Sequence, residues 1–249
     1  RVAEVRIEAP PPAPRWRAAG AGEVRLIGRP SSLARAAEVV GRVAALADGL
    51  PVSGFSLADL ALLAAAERLP LERVAAALRE AGLEAVAEAP VDRLDQPVEA
   101  IAAARAGGLR VDRLTVDALP ADRRLDLLEE VDAIGRALGD PPATFAPLPR
   151  VFAAHEPSTG YDDVKLVALA RLLVQSIPSI QVDWPLYGPK LAQVALTFGA
   201  DDVDGVAPDS PSALSLGPRR APLEEIRRNI LAAGFVPVER DGRFREVAR

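Results

Sequence analysis

The sequence contains no cysteine, no methionine and only one histidine, His155, among its 249 residues. Without thiolates, these residues form no disulfide, offer no thiol nucleophile and supply no sulfur ligand to zinc or to an iron–sulfur cluster. A single histidine also excludes a histidine-rich metal site. We therefore predict that this sequence binds neither a metal nor a cofactor.

Aromatic residues and positive charge are also scarce. Only 4% of the residues are aromatic, the formal net charge is −5 and the pI is about 5.2, which argues against a nucleic-acid surface. No apolar run reaches the roughly 20 residues of a membrane-spanning helix, and no leader pattern is present. We expect a cytoplasmic protein, with 49% hydrophobic residues for one sizeable core, that contacts neither membrane nor nucleic acid.

Strand-like and helix-like segments alternate about eight times along the chain, which is typical of parallel βαβ units. The predicted strands span residues 2–8, 23–28, 51–55, 84–88, 111–117, 144–148, 180–184 and 203–207. At this length the pattern favours an α/β fold, a single (β/α)8 TIM-type barrel, complete or shortened at its proline-rich first crossover. An open doubly wound sheet is the alternative, but no GxGxxG follows the first strand. We predict one domain over residues 1–249, with a C-terminal extension from about residue 222.

The stretch Ile177–Gly205 carries the most specific pattern. Apolar residues alternate with Gln181 and Asp183 up to Trp184, as in a strand. Gly188-Pro189 then interrupts the chain, and proline suits the first turn of the helix that follows. The spacing predicts one apolar face for this helix, formed by Leu191, Val194, Ala195 and Phe198.

This stretch resembles the C-terminal part of the barrel in a group of radical S-adenosylmethionine enzymes. The group comprises aminofutalosine synthase and dehypoxanthine futalosine cyclase, of the futalosine route to menaquinone, and the related FO synthase. Its motif NIP-NIQ-x-x-W runs into GPK-x-AQ-x-AL-x-FGA-x-D. The matching residues are Ile177-Pro178, Ile180-Gln181, Trp184, Gly188-Pro189-Lys190, Ala192-Gln193, Ala195-Leu196, Phe198-Gly199-Ala200 and Asp202. The resemblance implies a radical-SAM-like barrel and extends more faintly from about Gly22 to the end of the sequence.

The resemblance also implies a cofactor site that this sequence does not reproduce. In the family, the loop after the first strand carries CxxxCxxC, whose thiolates hold a [4Fe–4S] cluster that binds S-adenosylmethionine. The corresponding loop here reads APPPAPRWRAAG. The family's glycine motifs after strands two and four appear as LIGRPSS and AEAPVDRL, and its glutamate-rich motif after strand eight as APDSPSALSLG. We therefore predict a degenerate, cysteine-free relative in which radical chemistry is lost.

Two residues are candidates for acid–base catalysis. His155 follows the sixth strand, and histidine titrates near neutrality, so it suits proton transfer; a plain polar turn with Glu156 and Pro157 is the alternative. Asp183 lies on the seventh strand, where it points into the barrel mouth or caps a helix.

The candidates for substrate binding are Trp184, Tyr187, Lys190, Gln193 and Glu156. Lys190 lies at a helix N-terminus, where a positive charge and free amides favour an anion; a surface role is the alternative. Trp184 either packs in the core or offers a stacking surface. A buried Gln193 needs hydrogen-bond partners.

Three hypotheses follow for the function. The first is a non-catalytic binding or partner protein that holds a small anionic aryl or nucleoside ligand, or associates with an active paralogue or with itself. The second is a non-radical acid–base enzyme acting through His155 and Asp183, and the third is a structural scaffold. We expect the side chains from Asp183 to Gln193 to converge on the barrel mouth and residues 9–19 to close it.

Overall fold

The computed structural model describes residues 1–8, 16–118, 120–151, 159–206 and 223–247. Contacts divide the chain into two compact units. Unit 1 contains residues 1–89, 96–112 and 239–249, and unit 2 contains residues 90–95 and 113–238. The single domain predicted from the sequence remains a prediction.

Unit 1 consists of parallel strands that pair in chain order and alternate with helices. Its strands are β1 (Val2–Arg6), β2 (Glu23–Ile27), β3 (Val52–Ser56) and β4 (Ala85–Pro90), and its helices are α1 (Leu33–Leu46), α2 (Leu57–Glu67), α3 (Leu71–Glu80) and α4 (Pro97–Ala106). Ser32 caps α1, because its side chain accepts the backbone N–H of Arg35. Pro97 occupies the first turn of α4, where a missing N–H costs no hydrogen bond.

Unit 2 repeats the same alternation. Its strands are β5 (Arg113–Thr115), β6 (Thr144–Phe145), β7 (Ser179–Asp183) and β8 (Asp202–Asp204), and its helices are α5 (Arg124–Leu138), α6 (Gly160–Leu173), α7 (Trp184–Tyr187), α8 (Pro189–Thr197) and α9 (Leu223–Ala232). Neighbouring strands again pair in parallel and in chain order. The predicted α/β class, with (β/α) units of barrel type, is confirmed.

Each of the eight predicted strands overlaps a strand in the described residues, but two local predictions around β7 are wrong. The strand ends at Asp183, and Trp184 already begins α7. In α8 the buried side chains are Ala192, Ala195 and Leu196, whereas Val194 and Phe198 are 44% and 49% exposed. The predicted helical spacing of buried residues is correct, but the buried face lies one residue later in sequence than predicted, which is a rotation of about 100° around the helix axis. Small alanines let the helix backbone approach its neighbours, which the larger Val194 would prevent.

The predicted closing segment of the barrel is largely untested. Residues 9–15, which form its main part, lie outside the described residues. No helix in the described ranges is both long enough and apolar enough to cross a membrane.

In unit 1, a buried ion pair lies on the polar face of the strands. Arg25 donates to the carboxylate of Glu23 at 3.1 Å, and both side chains are only 9% exposed. Ser53, on the neighbouring strand, donates its hydroxyl to the same carboxylate. The buried charges are therefore paired within unit 1, which is the condition under which a buried ion pair is tolerated.

A short hairpin at residues 239–247 packs against the edge of unit 1 where β2 and β4 begin. The backbone N–H of Gly242 donates to the carbonyl of Gly22 at 3.1 Å. Arg243 donates to both carboxylate oxygens of Glu84, at 2.7 and 2.9 Å, and this bidentate contact raises the pKa of the guanidinium further. Hydrogen bonds thus hold the hairpin against the residues that precede β2 and β4.

The hairpin approaches so closely that Gly242 cannot gain a side chain freely. A Cβ at Gly242 would lie 2.7 Å from Cβ of Glu23 and 3.0 Å from Cγ of Pro51, so the hairpin or β2 would have to shift. We expect Gly242→Ala to lower the free energy of unfolding by about 1–3 kcal/mol, the usual cost of overpacking. Urea unfolding followed by circular dichroism measures it.

Gly41→Ala provides the matched control. Gly41 lies inside α1, and a Cβ there meets only the carbonyl oxygen of Ala81, at 3.9 Å. This substitution should stabilise the protein by about 0.4–1 kcal/mol, because alanine restricts the unfolded chain. If Gly242→Ala is as stable as wild type, the hairpin does not pack as described.

Candidate functional site

In unit 2, the C-terminal end of β5 is held by a carboxylate and an ion pair. Asp92 accepts the backbone N–H groups of Asp117 and Ala118, each at 2.8 Å. Arg93 donates to the side chain of Asp117 at 2.9 Å. In (β/α) folds, functional side chains come from the C-terminal ends of strands, so this edge is where a site is expected.

The segment after β6 continues this edge. The backbone N–H groups of Arg150 and Val151 donate to the carbonyls of Val116 and Asp117, at 2.9 and 2.8 Å. These hydrogen bonds place the Arg150 side chain beside the end of β7. We call residues 92–93, 117–118, 149–151, 183 and 187 the rim of unit 2.

Asp183, a predicted catalytic residue, has both carboxylate oxygens engaged in this rim. One oxygen accepts the N–H of Leu186 at 2.8 Å and so caps α7, and the other pairs with Arg150 at 2.9 Å. Both partners of the ion pair are less than one-fifth exposed. Gly205, which follows β8 at positive φ, allows close approach here, because a Cβ would collide with Pro185. Of the two interpretations of Asp183, the structure shows the helix cap.

Tyr187 and Trp184 are both held inside the protein. The Tyr187 hydroxyl donates to the carbonyl of Pro149 at 2.5 Å. Burial, together with the nearby Asp163 carboxylate, raises the pKa of the Tyr187 phenol well above its ordinary value. Trp184 is 1% exposed and therefore packs in the core instead of offering an accessible stacking surface.

The other predicted site residues lie elsewhere or outside the described residues. Lys190 is exposed in the first turn of α8, and Gln193, one turn later, is half-buried. His155 and Glu156 fall outside the described residues. The structure thus joins Asp183 and Tyr187 through residues 149 and 150, and the predicted convergence of the whole set remains a prediction.

A second polar arrangement, which the sequence analysis did not identify, lies on one face of the unit 2 strands. Arg113 on β5 pairs with Asp204 on β8 at 3.2 Å, and their side chains are 6% and 3% exposed. Strands β6 and β7 lie between them, and three flat strand spacings would amount to about 14 Å. The pair therefore requires the four strands to curve, with this face concave.

One row of side chains crosses this concave face. Arg113, Thr144 and Ser179 share one level of the register, so two residues later Thr115, Ala146 and Gln181 lie side by side on the same face. Gln181 also pairs in register with Asp202 on β8 and donates its amide to that carboxylate at 2.6 Å. We call residues 115, 146, 181 and 202 the polar row.

The polar row, Arg113 and Arg150 are residues that sequence reasoning missed. A signal was present, because Gln181 and Asp183 alternate with buried apolar residues along β7 and so share one strand face. The paired residues lie between 21 and 91 positions apart in sequence, and no local pattern reveals such pairs.

The chemistry of the available ligands does not fit an iron–sulfur cluster. In the part of the chain that the structure describes, no group of three or more histidine, cysteine, aspartate or glutamate residues is placed to hold a metal ion. The 249 residues include no cysteine, so they offer none of the thiolates that a [4Fe–4S] cluster requires.

The buried phenol of Tyr187 predicts a specific pH dependence of stability. Its pKa in the folded state lies above the ordinary value of 10.0, so folding favours the neutral phenol. This contribution is complete below about pH 10 and is lost as the pH rises further, because the unfolded state then releases the proton more readily. Urea unfolding between about pH 8 and 11 should show a steeper loss of stability for wild type than for Tyr187→Phe.

Tyr161→Phe serves as the matched control, since Tyr161 is 78% exposed and should follow the wild-type curve. Equal pH dependence in wild type and Tyr187→Phe would contradict the buried phenol.

Comparison with known proteins links the chain to one group of enzymes. Residues 144–248 match the family model described as CofH/MqnC C-terminal region. Aminodeoxyfutalosine synthase of Thermus thermophilus is 31% identical over 227 residues, which cover 80% of this chain and 61% of that protein. The 5-amino-6-(D-ribitylamino)uracil–L-tyrosine 4-hydroxyphenyl transferase of Methanothermobacter thermautotrophicus is 38% identical over 106 residues, 41% of this chain and 29% of that protein. The chain thus spans less than two thirds of either relative.

A solved structure supports the fold. Methylornithine synthase superimposes with a TM-score of 0.54 at 17% identity, covering 87% of this chain and 68% of that protein. The resemblance inferred from the β7–α8 motif is confirmed: the chain is a relative of the aminodeoxyfutalosine synthases and of the FO-synthase-type transferases, with residues 144–248 corresponding to the CofH/MqnC C-terminal region.

Proposed function

We propose that this chain is a non-catalytic binding or partner protein, which has lost the iron–sulfur and S-adenosylmethionine site of its relatives and retains part of their ligand pocket. The observation that carries the proposal is the contrast between two parts of the sequence. The β7–α8 segment keeps the family motif through Asp202, whereas no residue of the chain is a cysteine. A single lost ligand is replaceable, but an absent thiolate set is not.

The ligand we propose is a small anionic aryl compound or a nucleoside. The relatives' names contain aminodeoxyfutalosine, a ribitylaminouracil and L-tyrosine, and each combines a ring with polar substituents. Lys190 lies in the first turn of α8, where its charge and the free backbone N–H groups favour a carboxylate. An active paralogue or a second copy of the chain is the proposed protein partner.

The geometry favours binding over acid–base catalysis. A general base needs an oxygen within reach of the substrate proton. The oxygens of Asp183 already accept hydrogen bonds from Leu186 and Arg150, and the Tyr187 hydroxyl donates a hydrogen bond to a backbone carbonyl. These contacts stabilise the rim and engage each oxygen of Asp183 with a protein donor in the described structure.

The first test is reconstitution of the protein with iron and sulfide under anaerobic conditions. We expect a colourless protein that produces no 5′-deoxyadenosine from S-adenosylmethionine, because no thiolate is available to hold the cluster. A family enzyme with CxxxCxxC, treated in parallel, should turn brown. Cluster absorbance in this protein, or cleavage of S-adenosylmethionine, would overturn the proposed loss.

The second test concerns the ligand. Aminodeoxyfutalosine, L-tyrosine and 3-hydroxybenzoate are titrated into wild type and Lys190→Ala by calorimetry. For a carboxylate ligand, we expect the substitution to remove a charge-assisted contact of about 1.5–3 kcal/mol, roughly a tenfold to hundredfold loss of affinity.

The chain's second lysine provides a matched control. Lys165 is also exposed, in α6, so Lys165→Ala should bind like wild type. Neither substitution should lower stability noticeably, because exposed side chains contribute little. A wild-type protein that binds none of these compounds would refute the ligand-binding role.

A further inference from the structure

We infer that the exposed face at the C-terminal end of α9 is an interface, at which two copies of this chain associate around a twofold axis. This inference rests on the partner role proposed above, and it names both the partner and the surface. All the residues concerned belong to unit 2 and lie on exposed helix faces, separate from the polar row.

The first observation is a concentration of exposed apolar side chains where α9 ends. Within residues 231–238, four large apolar side chains are between 48% and 82% exposed. These four, which we call the end patch, are Leu231, Phe235, Val236 and Val238. The neighbouring helix α8 packs against α9 and adds Val194 and Phe198, which are nearly half exposed. Single exposed apolar residues are ordinary, but a cluster of them indicates a surface that a partner covers.

The backbone holds Phe235 close to α9, although the helix ends at Ala232. The N–H of Phe235 donates to the carbonyl of Ile230 at 3.1 Å, and the N–H of Gly234 donates to the carbonyl of Leu231 at 3.0 Å. Gly234 has a φ of 88°, so these two hydrogen bonds form a Schellman helix end, which glycine favours. The position of Phe235 relative to Leu231 is therefore fixed before a partner binds.

The second observation is that the exposed side of α9 is complementary to itself. Arg228, Leu231, Ala232 and Phe235 are exposed and follow one another at helical spacing. Their spacing is symmetric about the point between Leu231 and Ala232. A twofold axis at that point pairs two antiparallel copies of α9 and brings Arg228 to Phe235 of the partner subunit. A symmetric dimer requires such a match of one surface with itself.

The charges of α9 also favour a second copy. α9 has no basic residue in its last turn, so the partial negative charge of its C-terminal end is not balanced there. The antiparallel pairing places Arg228 of the partner subunit at this end, where the guanidinium also meets the face of the Phe235 ring. Within one chain, Arg228 pairs with Glu224 at 3.8 Å, and these side chains are 76% and 65% exposed. Exchanging so exposed an ion pair costs little.

The acidic first turn of α9 does not oppose this pairing. Glu224 and Glu225 precede the axis by about seven residues, so the acidic turns of two antiparallel copies lie about 20 Å apart. This distance exceeds the Debye length of about 8 Å at physiological ionic strength, so repulsion between the two acidic turns is largely screened.

The size of the surface fits a weak, reversible dimer. A half-exposed phenylalanine offers roughly 100 Å², so the end patch together with Val194 and Phe198 offers roughly 600 Å² per copy. A standard interface buries about 800 Å² per partner, and a polar rim that includes Arg228 supplies part of the difference. We therefore expect a dissociation constant of about 1–100 µM.

The first test measures the mass of the protein by sedimentation equilibrium, at concentrations from well below to well above that constant. The mass of wild type should rise to twice the 26.2 kDa of one chain. Leu231→Glu should raise the dissociation constant at least about hundredfold, because two like charges then face each other in an apolar contact. Leu62→Glu is the matched control: Leu62, on α2 in unit 1, is 56% exposed against 59% for Leu231, so this variant should dimerise like wild type.

The second test uses the absence of cysteine from these 249 residues, since any disulfide in a single-cysteine variant must join two copies. Leu231→Cys lies beside the axis and should form a disulfide-linked dimer on mild oxidation, seen on a non-reducing gel. Arg228→Cys alone should not, because the two copies of residue 228 are more than about 10 Å apart along α9. Mixed with Phe235→Cys, it should form the linked dimer. These variants keep the inference testable if Leu231→Glu does not fold.

Four results would overturn the inference. They are a wild-type mass that stays at one chain at the highest concentration, a Leu231→Glu variant that dimerises like wild type, a dimer in which Leu231→Cys does not cross-link, and a monomeric wild type that binds a family enzyme carrying CxxxCxxC. In the last case the face serves a paralogue. The proposed function fails separately, in the ligand titrations, so a monomer that still binds ligand overturns the dimer alone.

Discussion

The ion pair between Arg113 and Asp204 constrains the whole of unit 2. It joins the first and last strands of the unit across two others, at a depth where both side chains are almost completely excluded from water. Removing one partner would leave an unpaired buried charge, which typically costs 3–5 kcal/mol. The curvature of the strands, the concave polar face and the positions of Thr115 and Gln181 all depend on the geometry that this pair requires.

The rim and the polar row differ in how their polar groups are hydrogen-bonded. In the rim, the polar groups of Asp183, Arg150 and Tyr187 hold protein segments together, and their partners are other protein atoms. In the polar row, by contrast, Oε1 of Gln181 and Oγ1 of Thr115 have no hydrogen-bond partner among the described residues. The residues whose chemistry is most conspicuous in the sequence therefore stabilise the fold of unit 2.

The sequence predicted what local physics controls. Alternation located the strands, and Gly188-Pro189 located the start of α8, because turns and first-turn prolines act over a few residues. Sequence-based prediction failed where contacts with distant segments determine the structure. The partner of Asp183 is Arg150, 33 residues away, and the buried face of α8 is chosen by the elements packed around it. Period is a local property of a helix, whereas phase depends on tertiary contacts.

The hairpin at residues 239–247 has a consequence for the order in which the chain folds during synthesis. It belongs to unit 1, yet unit 2 lies between it and the strands of unit 1 along the chain. A ribosome therefore releases all of unit 2 before the residues that bind Gly22 and Glu84 emerge. Until then unit 1 is incomplete, and its edge at Glu84 is not covered by the hairpin. We therefore expect chaperones to bind unit 1 during translation, although it is synthesised first.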